Sequence, residues 1–244
     1  MQIDREVTLV DQGDFSETDE WQTARGQAMD AVREVDWPPG TGEFTVYPES
    51  EANGVQPATK IFEHNIDNKP LWEETGRTHF KSLLREMHLL DDAVEMLGDY
   101  MDDPEAFVSS SWFDAMAELE IDGEQHIVVF EWETGNISSS HRSLNRIMVG
   151  FLTGIISAGI VGLPTRKLYK YSTDRIGNFQ ELRPYFMIYE ALNTSVDNGV
   201  FEVVAFEQEA ESTDVPRIPK GSDGMSDREV REATPDSVDL SDFQ

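Results

Sequence analysis

Asp114, Glu131 and Glu133 are the residues whose types and spacing most invite chemistry. The runs WFDAMAELEI (112–121) and EQHIVVFEWET (124–134) flank Asp122-Gly123, a dipeptide that favours a two-residue type I′ hairpin turn. With that turn, Ile121 faces Glu124 and, further along the ladder, Asp114 faces Glu131. Directly opposed side chains have Cβ atoms roughly 5 Å apart. Glu133 lies two residues beyond Glu131 and shares its face. Three carboxylates therefore converge at one end of the hairpin. Their strand is otherwise apolar (Ile127, Val128, Val129, Phe130), which suits a sheet interior. Partly desolvated carboxylates this close repel one another unless they share protons or bind a cation. A hard divalent cation with oxygen ligands, such as magnesium, meets that need. Asp122 cannot take part, because nine residues of strand put it roughly 30 Å from Glu131. The competing reading is an open hairpin end whose charges fan into water.

The chain around this hairpin has 244 residues, enough for one large domain or two small ones. It carries 48 carboxylates against 19 Lys and Arg, a formal charge of −29. Hydrophobic residues at 39% and aromatics at 10% exclude a disordered acidic chain and permit a sizeable core. The absence of cysteine excludes disulfides, thiolate catalysis and Cys-ligated zinc. The start, MQIDREVTLVDQGDF, has neither a basic nor an apolar leader region, so the expected location is the cytoplasm.

A charge of −29 ordinarily argues against a nucleic-acid partner. An acidic coat that serves a salt-accumulating cell reverses the inference, because at molar salt charges are screened within roughly 3 Å. Local charge then matters more. Residues 135–190 hold seven basic side chains (Arg142, Arg146, Arg166, Lys167, Lys170, Arg175, Arg183) and three acids, a net +4, while the rest of the chain carries −33. One basic island stands in an acidic chain.

The elements around the hairpin read as follows. Residues 1–35 suggest an acidic helical arm. DWPPGTGEF (36–44) is a loop, FTVYP (44–48) a short strand, and KIFEHNI (60–66) a helix with Pro57 just ahead of it. Apolar residues 80, 83, 84, 87, 90, 94 and 97 space out an amphipathic helix or helix pair. SSHRSLNRIMVGFLTGIISAG is a buried helix; GIVGL (159–163), the start of RKLYKY (166–171) and FEVVAFE (201–207) read as strands. Residues 1–207 then form one domain and 208–244 an acidic tail. Ile147–Leu163 has 17 uncharged residues, but its four glycines favour a soluble helix and strand over a membrane span, and no membrane partner is expected.

Asp114 followed after sixteen residues by Glu131-Trp132-Glu133 resembles the active site of type II restriction endonucleases of the BamHI type. GNISSSHRSLNR (135–146), YKYSTDRIGNFQELRPYF (169–186), NGVQP (53–57) and VPRIPKGSDGMS (215–226) resemble segments of the same family in the same order, from about Trp37 to Ser226. The resemblance implies an α/β, restriction-endonuclease-like core: a central mixed β-sheet flanked by helices, with hairpin 112–134 carrying the active site. It implies Asp114, Glu131 and the Trp132 carbonyl as ligands of Mg2+, and Glu133 as general base or water-positioning group. Asn136, Ser138, Arg142, Asp174 and Arg175 would read bases in the major groove, and Gly221 would approach the minor groove through its backbone. Ser138–Ser140 also suit a helix cap, and the two roles are compatible.

Two departures stand out. The family pattern has a further acid three residues after a tryptophan; here Trp72 is followed by Glu73, Glu74 and Thr75, and Glu74 is the substitute ligand. The dimer helix carries Leu152 and Thr153 in place of charged residues, an apolar seam suited to high salt. The expected protein is a homodimeric, magnesium-dependent endonuclease that cuts double-stranded DNA at a GGATCC-like palindrome, accompanied by a methyltransferase in a restriction-modification system. The alternatives are a catalytically inactive nuclease-fold DNA-binding protein and a glycosidase. Opposed carboxylates fit a retaining glycosidase, but few aromatics lie beside them to stack a sugar.

Overall fold

The computed structural model describes residues 1–74, 84, 85, 87, 89–106, 113–172 and 176–220, with only the backbone at Glu73 and Glu74. Its strands are β1 (Gln2–Gln12), β2 (Thr45–Val46), β3 (Trp72–Glu74), β4 (Ala115–Ile121), β5 (Glu124–Trp132), β6 (Ala158–Pro164), β7 (Gly199–Glu207) and β8 (Ala210–Glu211). Its α-helices are α1 (Asp19–Arg33), α2 (Gln56–Asp67), α3 (Leu89–Leu97), α4 (Ile137–Leu152), α5 (Arg166–Tyr169), α6 (Phe179–Leu182) and α7 (Phe186–Ala191).

Among the described residues six strands form one mixed sheet in the order β1-β7-β6-β5-β4-β3, and β2 pairs with β8 separately. The β5, β6 and β7 strands run parallel; β4 and β3 continue antiparallel on one side and β1 on the other. The chain alternates faces along each central strand, so the sheet divides two cores. Val128, Phe130 and Trp132 of β5 pack with Trp21, Ala28 and Val32 of α1 and with Ile61, Phe62 and Ile66 of α2. Ile127 and Val129 look the other way, onto Leu144, Ile147, Met148 and Phe151 of α4. Those four residues follow the three- and four-residue spacing that makes one helix face. Burying each contributes roughly 1.5–3 kcal/mol. This is the mixed sheet with flanking helices that the resemblance implies.

The hairpin register is the expected one. Ile121 pairs with Glu124 and Ala115 with Phe130. Asp122 and Gly123 both have positive φ, 54° and 84°, as a type I′ turn requires. Among the described residues no helix is long and apolar enough to cross a membrane.

Three expectations need correcting. The first twelve residues are not helical: β1 pairs antiparallel with β7 along its length, and the helical part of the supposed arm is a short 3-10 turn at Phe15–Glu17 followed by Asp19–Arg33. RKLYKY does not begin a strand, because the Thr165 hydroxyl caps the chain by accepting from the Leu168 N–H and starts α5. Residues 208–220 are no loose tail. β8 pairs with β2, Ile218 is buried, the Trp37 Nε1–H donates to the Pro216 carbonyl at 2.9 Å, and the Gly54 N–H donates to Ile218 O at 2.8 Å. A Cβ on Gly54 would lie 1.8 Å from Pro219 O, so the two segments meet only because residue 54 is glycine. NGVQP and VPRIPKG, far apart in sequence, thus form one surface.

Candidate active site

Two strands and one helix place the acidic groups. β4 begins just after Asp114, where the side chain takes over from the backbone ladder: its Oδ2 accepts the Trp132 N–H at 2.7 Å. Glu131 lies on the α4 side of β5 and is 5% exposed. Glu133 continues the strand, its N–H donating to Gly162 O at 2.9 Å, and its carboxylate is also buried. Trp132 between them is clamped from the opposite side of the sheet, stacked on Phe62 at 4.5 Å and on Phe206 at 4.1 Å between ring centroids. Stacking of this kind fixes the backbone from which both glutamates project.

Burial dominates the electrostatics. It lifts the Asp114 carboxyl from 3.8 to about 6, with the Trp132 N–H pulling down, Glu63 pushing up, and Arg146 and Lys60 pulling down. Burial raises Glu131 well above the usual carboxylate range; the Asp114 charge adds to this, Arg146 opposes it, Glu133 adds and Arg142 opposes. Glu133 is raised by burial and by Asp114, against a hydrogen bond from Ser140 and the charges of Arg142 and Arg146. One oxygen of Glu133, Oε2, is buried without a hydrogen-bond partner. Such a site favours added positive charge or shared protons.

The hairpin register thus brings Asp114, Glu131 and Glu133 together as expected. The three are not set as a ready metal cage: among the described residues no three His, Asp or Glu groups are placed to hold a metal ion. Arg146 lies among them, its Nη1 donating to Glu131 Oε1 at 2.8 Å. Its guanidinium also lies over the Phe113 ring, 5.8 Å from the centroid. The donor set nevertheless suits a hard cation, since it offers carboxylate oxygens beside an unpartnered buried oxygen of Glu133.

Sequence reasoning counted Arg146 in the basic island without placing it in the site. The available signal was its position four residues after Arg142, on the same helical face. Ser140, which bonds Glu133, and the Phe62–Trp132–Phe206 stack were missed altogether.

The base-reading candidates divide. Asn136, Ser138 and Arg142 are exposed at the start of α4, directly after the acidic strand. Asn136 is itself the helix cap, its Oδ1 accepting the Ser138 N–H at 2.9 Å and the Ser139 N–H at 3.2 Å, so the cap falls on Asn136 rather than on the serines. Arg142 Nη2 reaches Ser139 Oγ at 3.4 Å. Asp174, Arg175 and Gly221 lie outside the described residues, as does the side chain of Glu74. The backbone at Glu74 pairs with Ala115 next to Asp114. Ser172 and Ile176, on either side of the Asp174-Arg175 pair, bridge to Asn53 and Asn136. Thr153, expected with Leu152 on a dimer seam, is buried; its hydroxyl donates back to Val149 O at 2.9 Å.

A mixed sheet flanked by helices, with paired acids on a central hairpin and exposed polar residues on the next helix, is consistent with the restriction-endonuclease class. The chain belongs to the BamHI restriction endonuclease family, whose model, described as "Restriction endonuclease BamHI", matches residues 1–225. It is 34% identical over 202 residues to the type II restriction enzyme OkrAI of Oceanobacter kriegii, covering 83% of this chain and 88% of that protein. It is 45% identical over 104 residues to the type II restriction enzyme BamHI of Bacillus amyloliquefaciens, covering 43% of this chain and 46% of that protein. Membership makes the chain a site-specific deoxyribonuclease, a hydrolase that acts on double-stranded DNA. Type II restriction endonucleases generally use divalent metal ions.

Proposed function

We propose that the chain is a homodimeric, magnesium-dependent endonuclease of a cytoplasmic restriction-modification system, cutting at a GGATCC-like palindrome that a partner methyltransferase protects. The observation that carries this reading is the half-buried Asp114 with the buried Glu131 and Glu133, set beside the exposed start of α4. Asp114, Glu131 and the Trp132 carbonyl would hold the magnesium ion, with Glu74 as a further candidate ligand. When bound, the ion stabilises charge on the phosphoryl oxygens and lowers the pKa of the attacking water.

The chain's own residues do the rest. Glu133, lifted by burial, accepts the proton of the water or orients it for in-line attack. Arg142 offers a planar pair of donors to guanine O6 and N7, and Ser138 offers a hydroxyl. Asn136 meets a base through its Nδ2, because its Oδ1 is taken by the cap. Asp174 accepts from a cytosine amino group, Arg175 donates to guanine, and Gly221 approaches the minor groove. A two-fold dimer matches a palindromic site. Exposed apolar side chains at the end of α4 and on α7 (Leu152, Met187, Ile188) support association.

The test is digestion of DNA of known sequence in magnesium buffer at molar potassium chloride, with sequencing of the fragment ends. Ends that share a GGATCC-like palindrome support the reading; specific binding with no cleavage at any salt or metal concentration refutes it.

A further inference from the structure

Glu131 and Arg146 face each other from parts of the fold that cannot separate. Glu131 sits on β5 between two strands, and its side chain is 6% exposed. Arg146 sits on α4, which is anchored to the sheet by Leu144, Ile147 and Met148. Only a side-chain rotation can part the pair. The glutamate side chain is enclosed. The arginine side chain is the more exposed of the two, at 20%, and its stem is long and flexible. The bond sets a guanidinium against the carboxylate that a cation would have to use. One oxygen of Glu131 is committed to a guanidinium instead.

We propose that Arg146 is a positioning residue that competes with the divalent cation for Glu131, so that metal loading requires the guanidinium to leave. The inference rests on the metal-dependent reading above. Arg146 neutralises part of the buried negative charge and keeps a hard cation from binding tightly to an idle enzyme. An incoming DNA phosphate, the natural partner of a displaced guanidinium, draws Arg146 off Glu131 and opens the place for the ion. Arg142, exposed one turn earlier on the same face, extends the same positive rim.

The experiment titrates Mg2+ into the full chain without DNA, by calorimetry at molar potassium chloride so that the acidic coat is screened. Arg146→Gln, Arg146→Lys and Glu131→Gln are compared with the unsubstituted chain. Arg146→Gln should bind Mg2+ about tenfold more tightly, and Arg146→Lys should lie close to the unsubstituted chain because the competing charge is kept. Equal or weaker binding by Arg146→Gln overturns the proposal and leaves the metal-dependent reading standing. A binding heat in the unsubstituted chain that Glu131→Gln does not abolish overturns the metal site itself, and the proposal with it. Should Arg146→Gln fail to fold, the arginine Nε–H resonance assigned with Arg146→Lys is followed during titration of the unsubstituted chain. Its shift toward a solvent-exposed position supports displacement, and an unmoved resonance at saturating Mg2+ overturns it.

Discussion

The acidic cluster should cost the fold stability that one isosteric substitution returns. Asp114→Asn keeps an oxygen to accept the Trp132 N–H, which Asp114 Oδ2 now accepts at 2.7 Å. It removes a carboxyl that burial holds at about 6 rather than 3.8. Such a group binds its proton about a hundredfold more tightly in the folded chain than in the unfolded one, and each tenfold is worth about 1.4 kcal/mol. The sign follows from where the protons sit. Below pH 3.8 both states hold the proton and the group adds no penalty. Between 3.8 and about 6 the unfolded chain releases it first, so stability falls as pH rises. Above about 6 both states are ionised and the full penalty, about 3 kcal/mol, remains. In chelator at molar potassium chloride, Asp114→Asn should therefore unfold roughly 6–12 °C above the unsubstituted chain at pH 8. The gap should shrink toward zero at the acid end of the range. Saturating Mg2+ should raise the unsubstituted chain toward the variant while the variant gains little. A melting-temperature difference that stays constant from pH 4 to pH 8 refutes burial as the cause.

Further outcomes follow from the same geometry. Glu131→Ala should abolish cleavage and leave sequence-specific DNA binding in a gel-shift assay, since the exposed residues of α4 are untouched; cleavage at the normal rate would sink the role of the hairpin acids. Circular dichroism across a salt series should show the fold holding at molar potassium chloride and failing in dilute buffer, where a charge of −29 repels itself; equal stability in dilute buffer would show that the acidic coat is no adaptation to salt. Arg175→Ala should lose about 1–3 kcal/mol of discrimination at one G·C pair without altering Mg2+ binding; cleavage profiles on singly substituted sites measure this, and unchanged fidelity refutes it. Gly54→Ala should break the docking of residues 216–220, because the new Cβ meets Pro219 O at 1.8 Å; limited proteolysis should then cut faster near Arg217, and an unchanged digest would show that the contact is dispensable.

The acidic half of the site was legible in the linear chain because a two-residue turn is a local object. Asp122-Gly123 sets the register, the register puts Asp114 beside Glu131, and strand alternation adds Glu133. The four apolar residues of α4 and the apolar run of β5 were readable for the same reason, since their periods are set within a few residues. Contacts between distant segments left no such trace. β1 looked like a helical arm because its partner, β7, lies about two hundred residues away and its own polar face hides the alternation. The docking of 216–220 on Asn53 and Gly54 depends on two loops meeting back to back, which neither loop announces. Arg146 is the sharpest case. Its helix position was predictable, but the pairing with Glu131 exists only because α4 crosses the α4-facing side of β5 at that height. The local chain decides which residues share a face; what stands opposite that face follows from how the layers pack.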